Sequence, residues 1–217
     1  MTPAARVEAA IVLLGEIIDA AAGGGAAADT IIQRYFKTRR YAGSGDRRAI
    51  RDLVYRVIRA LGERPGSGRA AMIGYGRAEA PEVLALFGTD PRGPAAIAED
   101  EAAAVPGLAP EWLAAKFAAE YADADSLLGA LARRAPLDLR ANRLKTTREA
   151  VLPLVPGAVP TLHAPDGLRV DGLNVEDLPV YKDGLIEVQD EGSQLIAAAC
   201  RARSGMTVID LCAGAGG

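Results

Sequence analysis

The residue types best able to do chemistry are gathered in one short run, Met206-Thr-Val-Ile-Asp-Leu-Cys-Ala-Gly-Ala-Gly-Gly217. Met206 to Leu211 reads as a short buried strand. Gly214, Gly216 and Gly217 read as a loop in which the backbone can come close to a ligand. Asp210 narrows the choice of ligand. A carboxylate at the strand end, four positions before the first loop glycine, opposes the anionic pyrophosphate that such a loop accepts in an NAD site. It suits a ligand with a positive end, such as the sulfonium and amino group of S-adenosylmethionine, unless Asp210 merely caps a turn. A loop of this kind normally leads into a helix, a second strand and most of a catalytic domain. The stretch therefore reads as the front part of a larger enzyme, with no bound cofactor and a poorly anchored C-terminus expected.

The remaining reactive side chains point to structure. Two cysteines twelve positions apart form neither a disulfide framework nor a metal pattern. Cys200 falls on the apolar side of a helix and is expected to be buried. His163 has no Cys, Asp or Glu at a ligand spacing, so it reads as structural. Trp112, Phe117 and Tyr121 fall on one helical stripe and read as core.

Charge carries the other functional signal. The net charge of −3 conceals strong segregation. Residues 34–77 hold twelve Arg and Lys against Asp46, Asp52 and Glu63, an excess of +9. Residues 79–125 hold ten acids against Arg92 and Lys116, and residues 133–149 turn basic again. Blocks of this kind favour a nucleic-acid partner. The first candidate contact is Arg39 and Arg40 in a loop with Arg47, Arg48 and Arg51 at the start of a helix, where spacings of three and four share one side. Arg140, Arg143, Lys145 and Arg148 form a second. Contacts of this type give affinity and salt dependence, not sequence choice.

The elements that must position these residues follow from periodicity. Thr2 caps a helix with Pro3 at its first position, and apolar residues from Val7 to Ala21 recur at helical spacing until Gly23-Gly24-Gly25. Asp29 starts a second helix bearing Ile31, Ile32, Tyr35 and Phe36. Asp46 caps a third, with Ile50, Leu53, Val54 and Val57 on its inner face. Ser67 caps a fourth, Pro81 to Phe87 makes a fifth, a short helix is expected near 94–104, and two more follow Pro110 and Asp123. Residues 1–134 are thus an all-helical bundle. From Pro136 the pattern changes to strand 137–142, a capping box at Thr146–Glu149 before a short helix, strands 159–163 and 168–170, and strand 185–188. Residues 135–184 read as a small α/β, RRM-like module. In 185–217, Asp190 caps a helix ahead of the terminal strand. No apolar run reaches the roughly 18 residues of a membrane span, and a cytoplasmic, monomeric protein without metal is expected.

Glu187-Val-Gln-Asp-Glu-Gly-Ser-Gln-Leu195 followed by Val208-Ile-Asp-Leu-Cys-Ala-Gly-Ala-Gly-Gly217 resembles the entry to the catalytic domain of the bacterial ribosomal-RNA cytosine-5 methyltransferases that carry a NusB-like domain. Pro136-Leu-Asp-Leu-Arg-Ala-Asn-Arg-Leu-Lys-Thr-Thr-Arg-Glu149 resembles the family's R-x-N-x-L-K element, and the helical start its NusB-like RNA-binding domain. The resemblance implies an α+β multidomain chain. It would consist of the helical bundle, the small module and the first strand of a Rossmann-like methyltransferase domain. It also implies that Cys212, Ala213, Gly214, Ala215, Gly216 and Gly217 wrap the cofactor, with Asp210 supporting them, and that ribosomal RNA is the substrate. The family's loop proline is Ala215 here. By family chemistry a cysteine thiolate attacks cytosine C6. Neither Cys200 nor Cys212 is that residue, so this stretch alone is expected to be inactive. Two rivals stay open from the residues themselves: a non-enzymatic RNA-binding module of antitermination type, and an NAD- or nucleotide-dependent enzyme.

Overall fold

The computed structural model of the protein describes residues 1–213. Contacts divide it into two compact units, Met1–Arg133 and a second from Arg134 onward.

The first unit is helical: α1 (Pro3–Ala22), α2 (Ala28–Thr38), α3 (Ser44–Arg59), α4 (Gly68–Ala78), α5 (Pro81–Leu84), α6 (Glu111–Glu120) and α7 (Ala124–Ala132). Thr2 caps α1 through its hydroxyl, which accepts from the Ala5 amide, and Ser67 caps α4 in the same way through Ala70. Helix α1 buries Val7, Ala10, Leu13 and Leu14 against Ile50, Val54 and Val57 of α3 and Met72 and Ile73 of α4. Truncating fully buried Leu13 or Ile73 to Ala costs about 2–5 kcal/mol. The crossing of α1 and α4 is close enough that a Cβ on Gly68 would lie 2.1 Å from the Ile11 carbonyl oxygen, so only glycine fits.

Three local readings change. Asp46 sits inside the first turn of α3, and Gly43 is the cap. The Asp46 carboxylate is drawn away to the Met1 amino group at 3.0 Å and to Arg6 Nε at 2.7 Å, an attraction between residues distant in sequence that outweighs its capping role. No helix forms over 94–104, where Ala104 instead donates its amide to the Ala70 carbonyl and Glu101 pairs with Arg69. The stripe on α6 is not core: Trp112 is 63% exposed and Tyr121 51% exposed. Lys116 lies 5.7 Å from the Trp112 ring and Phe117 packs 5.5 Å from Tyr121, so the stripe is partnered along its own helix.

The second unit runs β1 (Leu137–Ala141), α8 (Arg148–Val151) with a 3-10 turn, β2 (Val159–Pro160), β3 (Gly167–Val170), α9 (Pro179–Lys182), β4 (Ile186–Val188) and α10 (Glu191–Ala199). The sheet is antiparallel throughout, in the order β2-β3-β1-β4. A β-α-β-β-α-β chain in this order is a split β-α-β arrangement. Sheet alternation sends Leu139, Ala141, Leu168, Val170 and Ile186 into a core with Val151, Val155, Val175 and Val180. The opposite face carries Asp138, Arg140, Arg169 and Glu187, with Arg169 opposite Asp138 and Glu187 opposite Arg140. That face has no aromatic side chain, so the stacking surface of an RRM sheet is missing.

The expected strand 159–163 shrinks to Val159–Pro160, and His163 lies in a bend. The expected strand Met206–Leu211 does not form: the segment is irregular, with Val208, Ile209 and Leu211 64%, 76% and 90% exposed. A strand needs a ladder partner for its amides and carbonyls, and no neighbouring strand supplies one among the described residues. The α+β character stands, while a Rossmann-like strand is absent from the described chain. Among the described residues, no helix is long and apolar enough to cross a membrane.

Candidate functional site

The loop between α2 and α3 gathers the first basic cluster and divides it by role. Arg39 folds back on α2: its guanidinium carbon lies 3.7 Å from the centre of the Tyr35 ring, and Nη1 donates to the Tyr35 carbonyl at 3.4 Å. Arg47 donates from Nε to the Ala42 carbonyl at 2.8 Å and lies over Phe36. These two close the loop onto its flanking helices. Arg40, Arg48 and Arg51 are exposed and have no side-chain partner among the described residues. Arg48 and Arg51, three apart on α3, share one side of it, and Arg34 and Lys37 on α2 and Arg56 further along α3 are also exposed. A guanidinium stays charged at any relevant pH and matches a phosphate with a two-pronged donor set.

The second basic cluster is largely neutralised. Arg140 is ion-paired to Glu187 across β1 and β4. Arg143 lies 3.7 Å from the Asp166 carboxylate, though 77% of its side chain is exposed. Lys145 donates from Nζ to the Asp183 carbonyl at 2.8 Å, and Arg148 to the Ala164 carbonyl. Asn142 closes the turn by donating to the Gly184 carbonyl and accepting from the Leu144 amide. A cavity of about 430 Å³ opens here, lined by Arg140, Arg143, Asp166, Glu187 and Gln194. With a carboxylate beside each lining arginine, its pull on a phosphate is weak.

The segment Gln189–Gln194 acts as a clasp holding α10 on the charged face of the sheet. Asp190 caps the helix through the Gly192 and Ser193 amides and the Ser193 hydroxyl. These hydrogen bonds, that from the Ser193 hydroxyl first, hold its carboxyl below the usual range. Glu191 accepts from the His163 and Ala164 amides, which lower its own pKa, and reaches Arg169 at 3.4 Å. Arg169 in turn grips Asp138 with two parallel hydrogen bonds of 2.6 and 2.7 Å, and Asp138 also accepts from the Glu191 amide. Asp138 is 4% exposed and its pKa is depressed, chiefly by Arg169. Gln194, 7% exposed, donates to the Leu139 and Gln189 carbonyls. Sequence reasoning named Asp190 as a cap but missed the Asp138–Arg169–Glu191 network. Its one signal was a charged residue on each of two expected strands, at positions facing away from the core.

Of the terminal loop, Gly214, Ala215, Gly216 and Gly217 lie outside the described residues. Asp210, Cys212 and Ala213 are exposed, and Asp210 Oδ1 accepts from the Cys212 amide at 3.1 Å, closing its own turn. No chemical step is derived through an adenosyl group at these residues. Cys200, expected in the core, is exposed at the end of α10, where its thiol donates to the Ile196 carbonyl. Only Gln194 of α10 is buried, so the face carrying Ile196 and Cys200 is turned to solvent. No group of three or more His, Cys, Asp or Glu is placed to hold a metal among the described residues.

Residues 109–176 match the family model described as methyltransferase RsmF/B-like, ferredoxin-like domain. The match begins at α6, ahead of the division after Arg133, and takes in β1, α8, β2 and β3. Over 130 residues the chain is 35% identical to the ribosomal RNA small subunit methyltransferase B of Sodalis glossinidius, covering 57% of this chain and 30% of that protein. The proteins of the same name from Serratia proteamaculans and Escherichia coli are 34% and 32% identical over 51% and 56% of this chain, and 27% and 30% of their own length. The match thus spans about 30% of the curated relatives. In fold, the chain resembles the crystal structure of PH0851, with a TM-score of 0.54 at 14% identity over 94% of this chain and 57% of that one.

Proposed function

We propose that this chain is the RNA-recognising portion of an S-adenosylmethionine-dependent methyltransferase acting on cytosine C5 of small-subunit ribosomal RNA. The observation that carries the reading is the β-α-β-β-α-β unit, whose first strands fall inside the RsmF/B-like family match. The similarity to proteins named ribosomal RNA small subunit methyltransferase B supports the substrate class. In this reading residues 1–134 form a NusB-like RNA-binding domain, 135–184 a connecting module, and 185–217 the entry to the catalytic domain. Arg40, Arg48 and Arg51 make the phosphate contacts, while Arg39 and Arg47 shape the loop that presents them. When bound, the cofactor supplies the methyl group. This chain's described residues hold RNA and fix α10; none is assigned to the methyl transfer.

The test is genetic. Deleting the gene that encodes this chain and mapping 5-methylcytosine in small-subunit ribosomal RNA by bisulfite sequencing should remove a methylated position. An unchanged methylation map would overturn the assignment.

A further inference from the structure

We propose that a cavity between α1 and the α2–α3 loop of the helical unit takes an unpaired guanine base of the RNA strand, stacked on Tyr41 and read by Glu8. This deepens the RNA reading given above and depends on it.

The cavity encloses about 320 Å³ and is lined by Ala5, Ala9, Val12, Tyr35 and Tyr41, with Glu8 and Arg92 among its polar groups. That volume lies at the small end of ligand pockets, about 300–1,000 Å³. Tyr41 follows Arg39 and Arg40 in the sequence, and 72% of it is exposed. Val12 on α1 is 38% exposed beside it. The site thus offers an uncovered aromatic ring and an apolar floor, with Arg40, unpaired among the described residues, next to Tyr41 in the same loop. Proteins that hold single strands combine those two features, a base stacked on an aromatic ring and basic side chains along the phosphates. Trp112 is nearly as exposed, yet its surroundings are acidic, so phosphates flanking a base there would be repelled.

Glu8 selects the base. It is half-buried and makes no hydrogen bond or ion pair among the described residues. A carboxylate offers two acceptor oxygens and no donor. Guanine alone among the RNA bases places a ring N–H and an amino N–H side by side on its pairing edge, and so meets both oxygens at once. Cytosine and adenine set an acceptor beside their amino group, and uracil has one donor between two acceptors. Arg40 on the same loop is placed to take a flanking phosphate, whereas Arg92 at the cavity edge is ion-paired to Asp90 at 3.6 Å.

The experiment uses the full chain and fluorescein-labelled ten-nucleotide oligouridine RNAs carrying one central guanosine, one central inosine or neither, read by fluorescence anisotropy. The wild type should bind the guanosine oligonucleotide several-fold more tightly than the inosine one, which lacks the amino group. Tyr41→Ala should weaken guanosine binding between about fivefold and a hundredfold, the span reported by losing one stacked base, while Tyr41→Phe stays near wild type. Glu8→Ala should abolish the preference for guanosine over inosine. Equal binding of the two oligonucleotides by the wild type would overturn the role of Glu8. A Tyr41→Ala variant with native circular dichroism and unchanged affinity would overturn the pocket. If Arg40/Arg48/Arg51→Ala still weakened binding in that case, the RNA surface would stand without the pocket. Wild-type protein that binds none of the RNAs would remove both.

Discussion

Neutralising Arg40, Arg48 and Arg51 together to Ala separates affinity from stability more cleanly than any other change in the helical unit. Among the described residues none of the three has a side-chain partner, and all are exposed, so their loss leaves no orphaned group and the melting temperature should stay within about a degree or two. Each arginine on a phosphate of a single strand contributes about −0.7 to the slope of log affinity against log salt. Losing three contacts should flatten the slope by roughly 2. Over a fourfold rise in salt, the wild type should then lose about sixteen times more affinity than the variant loses. The matched control is Arg39→Ala with Arg47→Ala. Those side chains bind the Tyr35 and Ala42 carbonyls, so their removal should lower stability by about 1–2 kcal/mol. Anisotropy titrations of a small-subunit RNA fragment across a salt series, with thermal melts of the same proteins, provide both readouts. A triple-Ala variant with the wild-type slope would refute the phosphate assignment. A double variant of wild-type stability would refute the division of roles.

Further expectations concern the second unit. Arg169→Met leaves Asp138 buried without its two-pronged partner, and urea denaturation should show a loss of about 2 kcal/mol, discounted from a fully buried pair because Arg169 is partly exposed; a loss under about half a kcal/mol would sink the clasp. Asp138, Asp190 and Glu191 all have folded pKa values below their unfolded ones. Their stabilisation is therefore complete above the ordinary carboxylate range, roughly pH 4, and fades as pH falls through the lower folded values. Melting temperature should be flat near neutrality and drop steeply only in acid; a fall beginning near pH 6 would contradict this. Cys200 should react with a thiol reagent in the folded protein at close to the rate of an exposed thiol, and strong protection would restore it to the core.

Features that depend on neighbours in sequence were legible before the fold was known. Thr2, Ser67 and Asp190 cap helices because the acceptor and the amide it serves lie within three residues of one another. The apolar stripes of α1 and α3 pointed inward as their spacing implied. What the sequence could not show was which distant group each charge would meet. Asp46 looked like a cap until Arg6, forty positions earlier, claimed it. Arg140 and Arg143 read as free cations, yet strand pairing brings Glu187 to one and the turn at Asp166 faces the other. The segment Met206–Leu211 has strand-like residues, but a strand exists only beside another strand. The stripe on α6 failed for a related reason: periodicity says which residues share a side and is silent on whether anything covers it.

The clasp at Asp190 and Glu191 also sets a leash length. It fixes α10 to the sheet, and ten Cα-to-Cα steps lead from Cys200 at the helix end to Asp210. Fully extended, that tether reaches no more than about 35 Å. Asp210 must therefore lie within that radius of the end of α10. Breaking the clasp by removing Arg169 would let α10 lift away and lengthen the leash by the span of the helix, diluting the loop around its target with no residue of the loop itself altered.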